Sequence, residues 1–150
     1  MQGFELRIEV ERPPEEVFAL LANLENDPRW RREWVDARPR SDGSPAVGST
    51  TVLVGHGLGR RFEVEYEVTE LEPSRTVAWR TLSGPLPLLF SRSVEQIDQG
   101  TRVTFTYDVT EPGLLLRLFG PLVRRLGQRQ LEGDVPRLRE LLGAMPPSHG

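Results

Sequence analysis

Apolar and charged residues alternate without a fault along Phe4-Glu5-Leu6-Arg7-Ile8-Glu9-Val10-Glu11, the mark of a strand with one wet face. Pro13-Pro14 ends it, and Pro14 with Glu15 and Glu16 opens a helix whose buried stripe is Val17, Leu20, Leu21 and Leu24. Asp27-Pro28 has the form of a cap and first position for a second short helix. That helix would carry Trp30 and Trp34 on one face, four residues apart. Arg38 to Gly48 reads as a loop or irregular edge turning at Ser41-Asp42-Gly43-Ser44-Pro45. Strands follow over Thr50–Val54, Phe62–Val68, Thr76–Leu82, Leu88–Ile97 and Thr101–Thr110. Turns at Gly55-His56-Gly57-Leu58-Gly59, Glu72-Pro73-Ser74, Gly84-Pro85-Leu86-Pro87 and Asp98-Gln99-Gly100 separate them, for about seven strands in all.

The pattern then changes period. From Gly113 to Gly143, apolar residues recur at spacings of three and four, which predicts a long amphipathic helix. At 100° per residue its two apolar sets lie on nearly opposite sides. Leu115, Phe119, Leu122 and Leu126 form the first, and Leu131, Val135, Leu138 and Leu142 the second. Pro121 and Pro136 fall near the two joins. The expectation is therefore a short entry turn, a main helix from about Pro121 and a kink near Gly133, with Asp134 as a candidate cap for a restarted helix. A long apolar helix after a run of strands is best housed across a sheet that curls around it.

Composition bounds the function. The 150 residues, 37% hydrophobic and 27% charged, suit one domain with a single core over 1–150, the tail 143–150 fraying. No signal peptide and no membrane span are expected. Absence of cysteine fits the cytoplasm and removes thiol chemistry. All 19 basic residues are arginine, which removes Schiff-base catalysis and the phosphate-binding lysine loop. Only His56 and His149 offer imidazole, so neither a histidine metal site nor any cofactor is expected. A net charge of −3 gives no reason to bind nucleic acid.

With the elements in this order, the chain resembles the helix-grip fold of START-like (SRPBCC) proteins, within them the polyketide cyclase/dehydrase and lipid transport family. The resemblance rests on Pro14-Glu15-Glu16-Val17-Phe18 with Trp30 following, and on Val68-Thr69-Glu70-Leu71-Glu72-Pro73 with Arg75 and Val77-Ala78-Trp79-Arg80. Gly100-Thr101-Arg102-Val103-Thr104, the Pro112-Gly113 turn and Leu138-Arg139-Glu140-Leu141-Leu142 complete it. It implies an α+β fold with a deep apolar cavity between sheet and helix, and brings no catalytic motif.

Strand parity points Phe62, Val64, Tyr66, Val68, Val77, Trp79, Val103, Phe105 and Tyr107 inward. Phe119, Leu122 and Leu126 are expected to face them across the cavity. Trp30 and Trp34 offer either an entrance lid or packing at the sheet edge. Arg92 shares parity with Phe90 and Val94; pointing inward, it would anchor a ligand carboxylate or enolate, or pair with an internal acid. Tyr66 and Tyr107 are candidate donors to a ligand carbonyl, and His56 a candidate base or a plain turn residue. Glu63, Glu65 and Glu67 form a solvated face. Arg117, Arg124, Arg125 and Arg129 beside an apolar helix face suit either docking on the sheet or contact with anionic lipid.

Three function classes follow. The first is binding or transfer of a small apolar ligand, lipid-like or polyketide-like, with or without an acidic end. The second is a cyclase, aromatase or dehydratase working by acid–base chemistry in the same cavity. The third is an interaction protein without a ligand. Whether the chain is an enzyme, and whether it forms a homodimer, stay open at this point.

Overall fold

The computed structural model describes residues 2–57, 59–110 and 113–144. Seven antiparallel strands form one sheet: β1 (Gln2–Val10), β2 (Trp34–Pro39), β3 (Thr50–Gly57), β4 (Arg60–Glu72), β5 (Thr76–Ser83), β6 (Leu88–Ile97) and β7 (Gly100–Val109). Their spatial order is β1-β7-β6-β5-β4-β3-β2, so only the β1–β7 pairing joins strands distant in sequence. Helix α1 (Pro14–Leu21) and a 3-10 turn (Leu24–Arg29) lie between β1 and β2, and helix α2 (Leu114–Ala144) follows β7. Bulges interrupt the register of β2 at Val35 and of β4 beside Thr69, increasing the local twist. At the start of β7, Gly100 has φ +145°, and a Cβ there would stand 2.1 Å from the Val10 carbonyl oxygen. That hairpin can close against the end of β1 only with glycine.

The alternation in the sequence becomes the two faces of the sheet. Val64, Tyr66, Val68, Val77, Trp79, Phe90, Val94, Val103 and Phe105 are buried on the concave side. On the outer side Glu67 meets Arg80 at 2.7 Å and Glu95 meets Arg102 at 3.3 Å. A solid core fills the end nearer α1, where Val17, Leu21 and Leu24 pack with Trp30, Phe105, Leu131, Leu138 and Leu142.

Three sequence expectations are corrected here. No second helix carries both tryptophans: the 3-10 turn is capped by Asn23, Trp30 ends it, and Trp34 starts a strand that runs into the segment expected as loop. Asp27 is a buried side chain rather than a cap. Helix α2 runs unbroken through Pro121, Gly133 and Pro136, so Asp134 caps nothing. The continuity has a geometric consequence. Two apolar sets on opposite sides of an unbroken helix cannot both face one sheet. Leu131, Val135, Leu138 and Leu142 take the buried side, which leaves Phe119, Leu122 and Leu126 exposed. Leu58, Glu111, Pro112 of the expected Pro112-Gly113 turn, the tail from residue 145 and the side chains of Leu115 and Leu116 lie outside the described residues. Among the described residues no helix is long and apolar enough to cross a membrane.

Candidate functional site

A belt of aromatic rings crosses the concave face of the sheet. Phe4 stacks on Tyr107 with centroids 5.0 Å apart, and Tyr107 stacks on Phe90 at 5.4 Å. Phe90 in turn stacks on Trp79 at 4.9 Å and meets Tyr66 edge-on at 4.8 Å. Trp34 reaches Tyr66 and Phe62 from the far edge. Each ring comes from an inward position of its strand, so the belt follows directly from the pleat.

Above this belt the protein is hollow. A cavity of about 230 Å³ is lined by Trp34, Leu53, Phe62, Val64, Tyr66, Leu88, Phe90 and Tyr107, with Asp27, Glu33 and Arg92 as its charged members. A second space of about 150 Å³ lies between Phe4, Tyr107 and the first half of α2, which contributes Gly120, Val123, Arg124, Gly127 and Gln130. The two share Glu33, Leu86, Leu88 and Tyr107 and so adjoin. Small residues on α2 explain the hollow: glycines and a valine face the belt where the sequence pattern promised leucines and a phenylalanine. At Gly127 an added Cβ would stand 3.1 Å from Phe4 Cε1, so the helix lies close to the sheet.

The arginines inside the domain are already partnered. Arg92 points inward as its parity implied, but Asp27 closes its fork, with Nη1–Oδ1 at 2.9 Å and Nη2–Oδ2 at 2.7 Å. Nη1 also donates to the Leu21 carbonyl at 3.0 Å. The guanidinium lies 5.3 Å from the ring centroids of both Trp30 and Trp79. Both amino groups thus serve an internal acid and a backbone carbonyl, so of the two inward roles left open Arg92 takes the pairing with an internal acid rather than the anchoring of a ligand. Arg31 is likewise committed. Its Nη2 meets Glu33 Oε1 at 2.6 Å, its Nη1 donates to the Tyr107 hydroxyl at 3.1 Å, and its Nε lies 3.1 Å from Asp134 Oδ2.

Two polar groups face the cavity differently. Glu33 lines both spaces, its Oε2 accepting from Gln130 Nε2 at 3.3 Å. Burial pushes the Glu33 carboxyl above the usual carboxylate range, against the pull of Arg31. The Tyr66 hydroxyl has no hydrogen-bond partner among the described residues. Burial pushes this phenol up as well, so it stays protonated and remains a donor.

Other expected site residues sit elsewhere. Trp30 and Phe105 pack on each other in the solid core, with centroids 6.0 Å apart, and Trp79 belongs to the same core cluster. Trp34 is buried too, so neither Trp30 nor Trp34 forms a lid. Phe119, Leu122 and Leu126 do not line the cavity, for the helical reason given above. His56 is exposed on β3 and stands outside both cavity linings. Glu33, Arg31, Asp134 and Gln130 were missed, because Arg31-Arg32-Glu33 reads as a surface run. One signal was available: Asp134 is an acid within the apolar stripe Leu131, Val135, Leu138, where an isolated carboxylate needs a buried cation. Among the described residues no cluster of acidic residues and histidines could hold a metal ion.

The fold recurs in several solved structures. TTHA0849 from Thermus thermophilus superposes with a TM-score of 0.75 at 20% identity, covering 95% of this chain and 97% of that one. A START superfamily protein from Mycobacterium smegmatis gives 0.76 at 16% identity, covering 94% and 97%. A Thermobifida fusca protein gives 0.73 at 17% identity, covering 100% and 99%. At these identities the likeness speaks for the fold alone. No curated protein matches the sequence significantly. The model of one sequence family, described as polyketide cyclase / dehydrase and lipid transport, matches residues 1–143. With sheet, helix and hollow all accounted for by that span, the chain belongs to the polyketide cyclase/dehydrase and lipid transport family.

Proposed function

We propose that the protein binds one small apolar molecule that carries a neutral polar end, a hydroxyl or a carbonyl. The observation that carries this reading is the Tyr66 hydroxyl, unpartnered among the described residues and set in a cavity lined mainly by apolar side chains. The hydroxyl opens onto this cavity, where a ligand oxygen would take the place of water as its partner. An acidic ligand fits less well, because Asp27, Glu33 and Asp134 already neutralise Arg92 and Arg31. With volumes of about 230 and 150 Å³, the adjoining spaces sit near the lower end of the roughly 300–1,000 Å³ usual for ligand sites. They suit one short chain or a few fused rings.

Native mass spectrometry of the freshly purified protein tests occupancy. Nile red, a neutral apolar dye, then serves as a reporter displaced by apolar alcohols, ketones and plain hydrocarbons. Tyr66→Phe is expected to weaken alcohols and ketones about three- to ten-fold, the worth of one hydrogen bond, and to leave hydrocarbons unchanged. Equal weakening of all three classes would overturn the assignment of Tyr66. Absence of any displacement from wild type would overturn ligand binding itself.

A second reading is supported by Glu33. A carboxyl whose proton affinity is raised by burial, in a cavity that also presents Tyr66 and Tyr107, suits general acid–base work. On this reading the chain is a cyclase or dehydratase for a polyketide-like substrate. Glu33→Gln would then abolish turnover of a poly-β-keto thioester while retaining its binding. Undiminished turnover by the variant would remove Glu33 from the chemistry.

A further inference from the structure

Five large apolar side chains of the first half of α2 turn outward. Leu114, Leu118, Phe119, Leu122 and Leu126 are 74%, 66%, 54%, 54% and 58% exposed, and they span roughly 140° of the helix at 100° per residue. A stripe of this kind on one helix marks an interaction surface. Its charge says what kind. From Leu114 to Leu131 there is no acidic residue, while Arg117, Arg124, Arg125 and Arg129 all lie in this stretch, in a chain whose net charge is −3. All four arginines are exposed. Ten of the other fifteen arginines pair with a carboxylate, as Arg80 does with Glu67, whereas these four make no salt bridge or side-chain hydrogen bond among the described residues.

We propose that this half of α2 lies flat on an anionic lipid bilayer, Leu114, Leu118, Phe119, Leu122 and Leu126 inserted among the acyl chains and Arg117, Arg125 and Arg129 at the headgroups. Arg125 and Arg129 rise from within the stripe and Arg117 flanks it, and their long stems carry the charge back to the phosphate level while the apolar side chains enter the acyl region. A second copy of this chain is a poorer occupant, since pairing the stripe with itself would bring eight unpaired cations together. The position of the surface adds to its meaning. The opposite side of the same turns, Gly120, Val123 and Gly127, lines the smaller cavity, and Leu86 and Leu88 line both cavities. A bilayer against α2 would therefore bring the acyl region to the helix that roofs the ligand space. The inference goes beyond ligand binding and does not depend on it, because the stripe is exposed whether or not the cavity is filled.

Flotation of the full chain with phosphatidylcholine vesicles, with and without about one-third phosphatidylglycerol, tests this at low and high salt without added ligand. The protein should float with anionic vesicles, fail to float with neutral ones, and dissociate as salt rises. Phe119→Ser with Leu122→Ser should weaken anionic-vesicle binding at least ten-fold, and so should Arg125→Gln with Arg129→Gln. Both variants should keep the wild-type circular dichroism, as every altered side chain is exposed. Lack of binding to anionic vesicles would overturn the proposal, as would binding unaffected by either pair of substitutions. A concentration-dependent dimer broken by Phe119→Ser with Leu122→Ser, without vesicle binding, would hand the surface to a second copy instead.

Discussion

Asp27 and Arg92, 65 residues apart, meet as a two-pronged ion pair at 2.9 and 2.7 Å, both side chains almost fully removed from solvent. The pair ties the 3-10 turn to the centre of the sheet, under the rings of Trp30 and Trp79. Removing one partner leaves the other charge buried alone. Arg92→Met is therefore expected to cost about 3–5 kcal/mol in urea unfolding. Asp27→Leu combined with Arg92→Met should cost clearly less than the two single changes summed, because no lone charge remains. A single-site loss below about 1 kcal/mol would show that water reaches the pair.

The unbroken α2 makes opposite forecasts for two leucines on one helix. Leu138 is fully buried and Leu122 is more than half exposed. Leu138→Ala should destabilise by about 2–5 kcal/mol, the usual range for a packed core leucine. Leu122→Ala should stay within about 0.5 kcal/mol of wild type, as surface changes do. Parallel thermal melts decide the matter, and a large loss at Leu122 would mean that the first half of α2 turns its other side to the sheet.

The sheet was legible because period two is a local signal. Phe62-Glu63-Val64-Glu65-Tyr66 declares its faces within five residues, and the buried Val64 and Tyr66 follow it. The helix was legible as a helix, but its orientation was not. Choosing between two opposed apolar stripes requires knowing whether the helix is interrupted, and Pro121, Gly133 and Pro136 suggested a break and restart that do not occur. Glycines then took the inner side, where close approach to Phe4 counts for more than apolar area. The candidate site was half legible. Its aromatic wall follows from parity, whereas the neighbours Arg31 and Glu33 meet Asp134 and Gln130 only through contacts about a hundred residues long, which no local pattern encodes.

Glu33 gives the fold a pH dependence with a definite sign. Burial, opposed by Arg31, raises its carboxyl in the folded state, so the native protein holds this proton more tightly than the unfolded chain. The contribution is present in full below the ordinary glutamate value of about 4.3, and is lost as pH rises through the raised folded value. Glu33→Gln cannot lose it. The melting temperature of wild type relative to Glu33→Gln should therefore fall as pH rises above about 4. Asp134, also raised by burial, shares Arg31 with Glu33, so the difference reports the titration of the two acids together. A constant difference across this range would mean that Glu33 is no more deprived of water when folded than when unfolded.

Gly127 offers the most direct way to ask whether the two cavities act as one site. It sits in the middle of α2, where glycine costs about 1 kcal/mol relative to alanine, so a side chain there regains helix propensity. The same side chain would enter the space of about 150 Å³ beside Phe4, whose Cε1 already stands 3.1 Å from where a Cβ would be. Phe4 rests on Tyr107, and Tyr107 lines both spaces. Gly127→Leu should therefore fill the smaller space and crowd the belt, at a net stability change within about 3 kcal/mol, the scale of overpacking. Nile red affinity should drop ten-fold or more if the ligand spans both spaces. Unchanged affinity, with the fold intact by circular dichroism, would confine the ligand to the cavity under Tyr66 and Phe62.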